Sequence, residues 1–258
     1  MAARETAAMS TQTPDDGRVA LVERFFRGTG SSYDVMVHAA TFGIDRLWKR
    51  RLVSLVPPDA RRVLDLASGT GISTLAIAKR RPQCHVVGVE LRDEYLEIAR
   101  AKLRRRGAGN IELVLGRAED YRSEVPFDCI SSSYLAKYAD LPLLCSNAFA
   151  MLNPNGVFLA HDFTYPPKAH LVRLWRLYFG ILQVVGSRLF PSWREIYYGL
   201  PALIERSTWV EDIQSALADA GFTDIRREDL TLYGSAIVSA RKPHVAAVAS
   251  GAGRVPAD

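Results

Sequence analysis

The stretch Val63-Leu64-Asp65-Leu66-Ala67-Ser68-Gly69-Thr70-Gly71 brings together residue types that can hold a ligand. An apolar, strand-like run ends near a carboxylate, passes through small residues and opens a helical pattern at Ile72. Small residues let a ligand approach backbone N–H groups closely, and in a doubly wound sheet such a loop lies at the carboxyl ends of the strands, where ligands bind. A second acid, Glu90, closes the next apolar run, 25 residues after Asp65. An acid there is suited to accept hydrogen bonds from the two hydroxyls of a ribose. Thr74 occupies the place of the third glycine of a dinucleotide G-x-G-x-x-G pattern, and there is no G-K-[ST] for a P-loop. With no pyrophosphate clamp, the pattern points to a nucleoside ligand without phosphates and away from an NAD dehydrogenase.

The elements that position these residues alternate. Strand-like runs Arg62 to Leu66, His85 to Glu90, Ile111 to Leu115, Phe127 to Ser132 and Val157 to Asp162 are separated by helical stretches, including Ile72 to Arg81 and Arg92 to Arg106. That alternation predicts an α/β sandwich with a parallel sheet. Near the end, a helix from Val210 to Ala220 leads into two β-like runs, Asp224 to Leu230 and Tyr233 to Ala240, with too little chain between them for a crossover. They should pair antiparallel. The predicted fold is a Rossmann-like, mostly parallel seven-stranded sheet with a C-terminal antiparallel pair. Residues 18–243 form one domain, with a helical lid over about 165–208, and residues 1–17 and 244–258 form flexible tails. Leu171 to Phe190 is apolar, but Arg173, Arg176 and Arg188 interrupt it well short of the ~20 residues a membrane span needs.

Composition narrows the class. The chain has 33 basic and 28 acidic residues, a formal charge of +5 and 48% hydrophobic residues, as an ordinary globular protein does. Its short basic clusters read as solvated helix ends, and no nucleic-acid partner is expected. Cys84, Cys129 and Cys145 form no C-x-x-C pair, and the five histidines show no ligand spacing, so no metal is predicted.

Taken together, Asp65 to Gly71, with Ala67 in place of the first glycine of D-x-G-x-G-x-G, resembles the class I S-adenosylmethionine-dependent methyltransferases. More narrowly, the chain is similar to the ubiquinone/menaquinone biosynthesis C-methyltransferase family over nearly all of its core. The resemblance is carried by Tyr33-Asp34-Val35-Met36, by Phe42 to Arg50, by Val63 to Gly71, and by Phe127 to Ile130, Leu152 to Gly156 and Asp162-Phe163. It implies S-adenosylmethionine as cofactor, with Asp65, Ala67, Ser68, Gly69, Thr70 and Gly71 around the methionine moiety, Glu90 on the ribose, Arg117 and Ala118 on the adenine side, and Ser133 lining the pocket. The chain departs from the family at Ile72, at Val37 and at Leu135-Ala136-Lys137-Tyr138, where an acid, an asparagine and a G-L-R-N segment are usual.

Methyl transfer to a ring carbon needs an electron-rich acceptor about 3–3.5 Å from the methyl group and a group to take a proton. Tyr33, Asp34 and His161 are the candidate catalytic residues, with Asp162, Lys137, Tyr138 and His38 also near the expected site. The resemblance implies C-methylation of a prenylated hydroquinone, a lipid substrate that brings the enzyme to a membrane surface; the expected location is cytoplasmic, peripheral at the inner face. Three alternatives stay open at this point: exchange of a ubiquinone methoxy group for an amine to form rhodoquinone, methylation of another aromatic acceptor, and a non-catalytic cofactor-binding scaffold. Oligomeric state is open as well.

Overall fold

The structure, a computed structural model, describes residues 16–244. The expected tails therefore fall outside the described residues except at their inner ends, where helix α1 (Asp16–Phe26) begins inside the predicted N-terminal one. Helices α2 (Tyr33–Ala40) and α3 (Asp45–Leu55) follow before the sheet begins.

Seven strands then form one sheet: β1 (Arg62–Leu66), β2 (His85–Glu90), β3 (Ile111–Leu115), β4 (Phe127–Ser133), β5 (Leu152–Phe163), β6 (Thr223–Asp229) and β7 (Ser235–Arg241). Their spatial order is β3-β2-β1-β4-β5-β7-β6. The first five run parallel, and β7 lies antiparallel between β5 and β6, as the short connection required. Helices α4 (Ile72–Arg80), α5 (Asp93–Arg106), α6 (Leu141–Met151) and α10 (Trp209–Asp219) are the covering helices between the strands. Because side chains alternate across a strand, Leu64, Val87 and Ile130 pack with α6 and α10, while Val63, Val86 and Cys129 pack with α3 and α4. Burial on both faces is why these strands read as unbroken apolar runs. The chain leaves β1 towards β2 on one side and reaches β4 on the other, so a crevice opens above the carboxyl end of β1.

Two boundaries differ from expectation. The Asn153–Gly156 turn lies within β5, because Phe127 pairs with Leu152 and Cys129 with Val157; the turn is taken up as an irregularity with Asn155 at φ 65°. Before β7, Thr231–Tyr233 forms a 3-10 turn in place of strand.

The predicted lid is helical but divided. It comprises α7 (Ala169–Ile181), a π turn (Leu182–Gly186), α8 (Ser187–Leu189), a 3-10 turn (Pro191–Trp193) and α9 (Arg194–Arg206). The π turn ends where the backbone of Gly186 presses on the Tyr197 ring, which a Cβ there would meet at 2.8 Å. A third core, built from Phe25, Met36, Tyr138, Trp193, Ile196 and Tyr197, ties this lid to α1 and α2. Among the described residues no helix is long and apolar enough to cross a membrane.

Candidate functional site

The loop after β1 turns through left-handed backbone at Ala67 (φ 54°), Gly69 (φ 56°) and Gly71 (φ 80°). Gly71 needs to be glycine twice over, since a Cβ there would also sit 3.1 Å from the Ala99 methyl of α5. Glu90, at the end of β2, holds this loop. Its Oε2 accepts the Gly69 N–H at 2.8 Å and its Oε1 the Arg92 N–H at 2.9 Å. A carboxylate has about four acceptor sites, so each oxygen keeps capacity for a ligand hydroxyl. Burial pushes the Glu90 carboxyl above its ordinary value, and the two amides oppose that rise.

A cavity lies over this loop. Of the ten cofactor residues predicted, Ala67, Gly69, Glu90, Arg117, Ala118 and Ser133 line it, and α1 and Tyr33 roof it with Val19, Val22 and Phe26. The residues suit an adenosyl group: small residues at the loop, a carboxylate with free lone pairs, and an apolar roof. In addition, the buried Ser68 hydroxyl has no hydrogen-bond partner within the protein.

Asp65, Ser68, Thr70 and Gly71 lie in or beside the loop and are not among the residues lining the cavity. Asp65 is buried and accepts the Thr74 Oγ1 hydroxyl at 2.7 Å and the Ser131 hydroxyl at 2.9 Å, clamping the first turn of α4 to β4. Burial raises its carboxyl to about 6. Thr74 thus supplies a clamp at the place of the missing third glycine. Thr70 donates its hydroxyl to Asp34 Oδ1 at 2.5 Å, and Lys102 pairs with Asp34 Oδ2 while donating to the Thr70 carbonyl. Asp34 therefore pins α2 to the loop and lines neither cavity.

His161 also lies away from both cavities. It is 1% exposed. Ser235 Oγ donates to the Asp162 carbonyl at 2.9 Å, so it must accept from His161 Nε2 at 2.6 Å, which leaves Nδ1 to accept the Ser133 hydroxyl at 2.8 Å. Both ring nitrogens are engaged in one neutral tautomer. Burial, with Lys49 and Lys137 nearby, holds the imidazole well below its usual value. It is a structural support.

Tyr33 keeps its predicted place. It lines the cofactor cavity and also a second, larger cavity of about 400 Å³ beneath the lid. The two share a wall made by Phe26, Tyr33, Tyr134 and Tyr138. The Tyr33 ring stacks on Trp193 at 5.9 Å, and burial keeps its phenol protonated, so it can donate a hydrogen bond but not act as a base at neutral pH. Trp175, Tyr178, Phe179 and Trp193 furnish much of the lid side of the second cavity.

Two pairings there went unrecognised in the sequence. Tyr134, held left-handed at φ 64° after β4, stacks on Phe163 at 4.6 Å and donates its hydroxyl to the buried Asp45 at 2.5 Å, which also receives Lys49 at 3.1 Å. Lys137, expected near the site from its place after the fourth strand, is buried and ion-paired to Asp162, the two side chains being 1% and 0% exposed. Lys137 is the only charged residue among the described residues lining the second cavity. The one available signal was position: both residues follow β4 at the carboxyl edge of the sheet. His38 is exposed under the Gly43 turn and lines neither cavity.

Comparison with known proteins agrees with this arrangement. Residues 12–242 match the model of the ubiE/COQ5 methyltransferase family. A demethylmenaquinone methyltransferase of Thermus thermophilus is 31% identical over 217 residues, 82% of this chain and 96% of that protein. The ubiquinone/menaquinone biosynthesis C-methyltransferase UbiE of Proteus mirabilis is 30% identical over 239 residues, 88% of this chain and 93% of its own. Among solved structures, the S-adenosylmethionine-dependent methyltransferase SibL superposes with a TM-score of 0.58 at 19% identity, over 79% of this chain and 57% of that one. A Haemonchus contortus phosphoethanolamine N-methyltransferase with S-adenosylhomocysteine bound gives 0.61 at 16% identity, over 87% of this chain and 60% of that one. At those identities the structures attest the class I methyltransferase fold alone. The glycine loop under Glu90, the seven-stranded order and a family match across nearly every described residue converge: this chain belongs to the ubiE/COQ5 methyltransferase family and is an S-adenosylmethionine-dependent transferase.

Proposed function

We propose that this enzyme methylates a ring carbon of a prenylated hydroquinone, as in ubiquinone or menaquinone biosynthesis, working as one domain over residues 18–243 at a membrane surface. The observation that carries this reading is the shared wall. The cavity over Glu90 adjoins an apolar, aromatic cavity whose lining includes one charged group, Lys137. That suits an acceptor with an oxygenated ring at the wall and a hydrocarbon tail under the lid. The two relatives whose names describe such a reaction align with 82% and 88% of the chain.

When bound, S-adenosylmethionine supplies a sulfonium-activated methyl group. In this reading Ala67, Gly69, Glu90, Arg117, Ala118 and Ser133 line its site, and Asp65, Thr70 and Asp34 hold the loop in place. Tyr33 and Tyr138, in the wall, position the ring. The Lys137 ammonium, held against Asp162, can donate to the ring oxygen and stabilise it as a phenolate once its hydroxyl proton has passed to water. The resulting phenolate directs electron density to the ring carbon that attacks the methyl. Formation of the carbon–carbon bond would break the methyl–sulfur bond and leave S-adenosylhomocysteine, and the ring carbon's own proton would pass to water as the ring regains aromaticity.

A second reading rests on one observation. Lys137 and Tyr138 stand where the family carries arginine and asparagine, and here they build the acceptor side. Such a change favours an altered acceptor or reaction, including exchange of a ubiquinone methoxy group for an amine. Purified protein given demethylmenaquinol, demethylated ubiquinol precursors or ubiquinone, with products read by mass, separates the cases. Gain of one methyl supports the first reading and methoxy replaced by amine the second. Binding of S-adenosylhomocysteine with no turnover of any acceptor contradicts both and favours a cofactor-binding scaffold.

A further inference from the structure

The outer face of α7 and of the turns after it is apolar and open. Leu174, Leu177, Ile181, Val184, Val185 and Leu189 recur at helical spacing, and their exposure runs from 48% at Val185 to 68% at Leu189. On the inner side of the same segment, Leu171, Trp175, Tyr178, Phe179 and Leu182 line the acceptor cavity. The helix is thus apolar on two sides while one of them faces solvent. A helix that is apolar all round belongs in a core or in lipid, and a contiguous exposed apolar patch marks an interaction surface.

Two features identify the occupant. The first is continuity with the cavity: Leu174 belongs to both the stripe and the cavity lining, and two further lining residues, Phe42 at 81% and Leu232 at 60%, are also exposed. Phe42 and Leu232 are held at φ 50° and 53°, left-handed backbone that bulky residues rarely adopt. The second is charge. From Tyr165 to Trp193 the chain carries Lys168, Arg173, Arg176 and Arg188 and no Asp or Glu. Arg176 pairs with Glu205 of α9, while Lys168, Arg173 and Arg188 are exposed along the stripe. An apolar strip bordered by cations complements a bilayer with anionic headgroups. A second copy of the chain is a poorer partner, because a two-fold pairing of stripe on stripe would turn Arg173 and Arg188 of each copy towards those of the other.

We infer that the stripe on α7 and α8, with the rim at Phe42, Leu174 and Leu232, docks the protein on an anionic bilayer surface with the acceptor cavity opening towards the acyl chains. The docking stands on this surface alone; that it delivers a lipid acceptor rests on the reading above.

The test is co-sedimentation with phosphatidylcholine vesicles, with and without phosphatidylglycerol, using the full chain and the double variant Leu177→Glu/Ile181→Glu. Neither residue lines a cavity. The wild type should partition onto the anionic vesicles about tenfold or more better than the variant, and less well onto phosphatidylcholine alone. The variant should keep its affinity for S-adenosylhomocysteine, which shows that it folds, and its turnover of a short-tailed, water-soluble quinol, while turnover of a vesicle-embedded quinol falls. Equal partitioning of the two proteins, or no binding of the wild type to either vesicle, overturns the inference. So does a dimer, seen by light scattering, that the variant converts to monomer. Failure of the wild type to methylate the short-tailed quinol counts against the hydroquinone reading and leaves the vesicle result to stand or fall by itself.

Discussion

Held between Ser133 and Ser235, the His161 ring stays neutral because its folded-state value lies well below the ordinary 6.5. The unfolded chain accepts a proton there once the pH drops beneath about 6.5, whereas the folded chain does not. Stability is therefore full above that pH and declines below it, by up to about 1.4 kcal/mol per pH unit. Urea unfolding between neutral and mildly acidic pH should show this decline in the wild type and a shallower one in His161→Gln. Lys137 is predicted to behave differently. Lys137→Met leaves the Asp162 carboxylate buried without its cation, a change that costs about 3–5 kcal/mol. Adding Asp162→Asn should recover much of that loss, read by urea unfolding, while methyl transfer stays about 10²–10³-fold down in both variants. Recovery of turnover along with stability would show that Lys137 has no part in stabilising the phenolate.

Among elements, α2 and the glycine loop are pegged together because Asp34 joins Thr70 to Lys102. Removing that peg by Asp34→Ala should raise KM for the methyl donor about five- to thirtyfold, the equivalent of about 1–2 kcal/mol. Steady-state kinetics with saturating donor should show kcat little changed, since Asp34 lines neither cavity. Strands β1, β2 and β4 were readable within a residue because both faces of each are buried, so Val63 to Leu66 and Val86 to Val89 carry no alternation to confuse. The break in the lid was not readable. It depends on Gly186 meeting Tyr197, and nothing local to Leu182–Gly186 announces that contact. The same holds for α1, whose place over the cofactor cavity is set by packing of Phe25 with Tyr138, far along the chain.

For the molecule as a whole, the donor half of the site was readable and the acceptor half was not. Ala67, Gly69 and Glu90 announce themselves by strand-end spacing and small-residue runs, which local sequence carries. Side-chain direction is not local: Asp65 turns to Thr74 and Ser131 in the sheet, and Tyr134 finds Asp45 across 89 positions. Leu135 to Tyr138 contribute the Lys137–Asp162 pair and, through Tyr138, part of the wall between the cavities. The proposed function presumes that a nucleoside sits against Glu90. Calorimetric titration of S-adenosylhomocysteine into wild type and Glu90→Gln at neutral pH tests that most directly. Loss of hydrogen bonds to a charged group, worth about 1.5–3 kcal/mol, predicts affinity weaker by about ten- to a hundredfold. Equal affinity for the two proteins would contradict it.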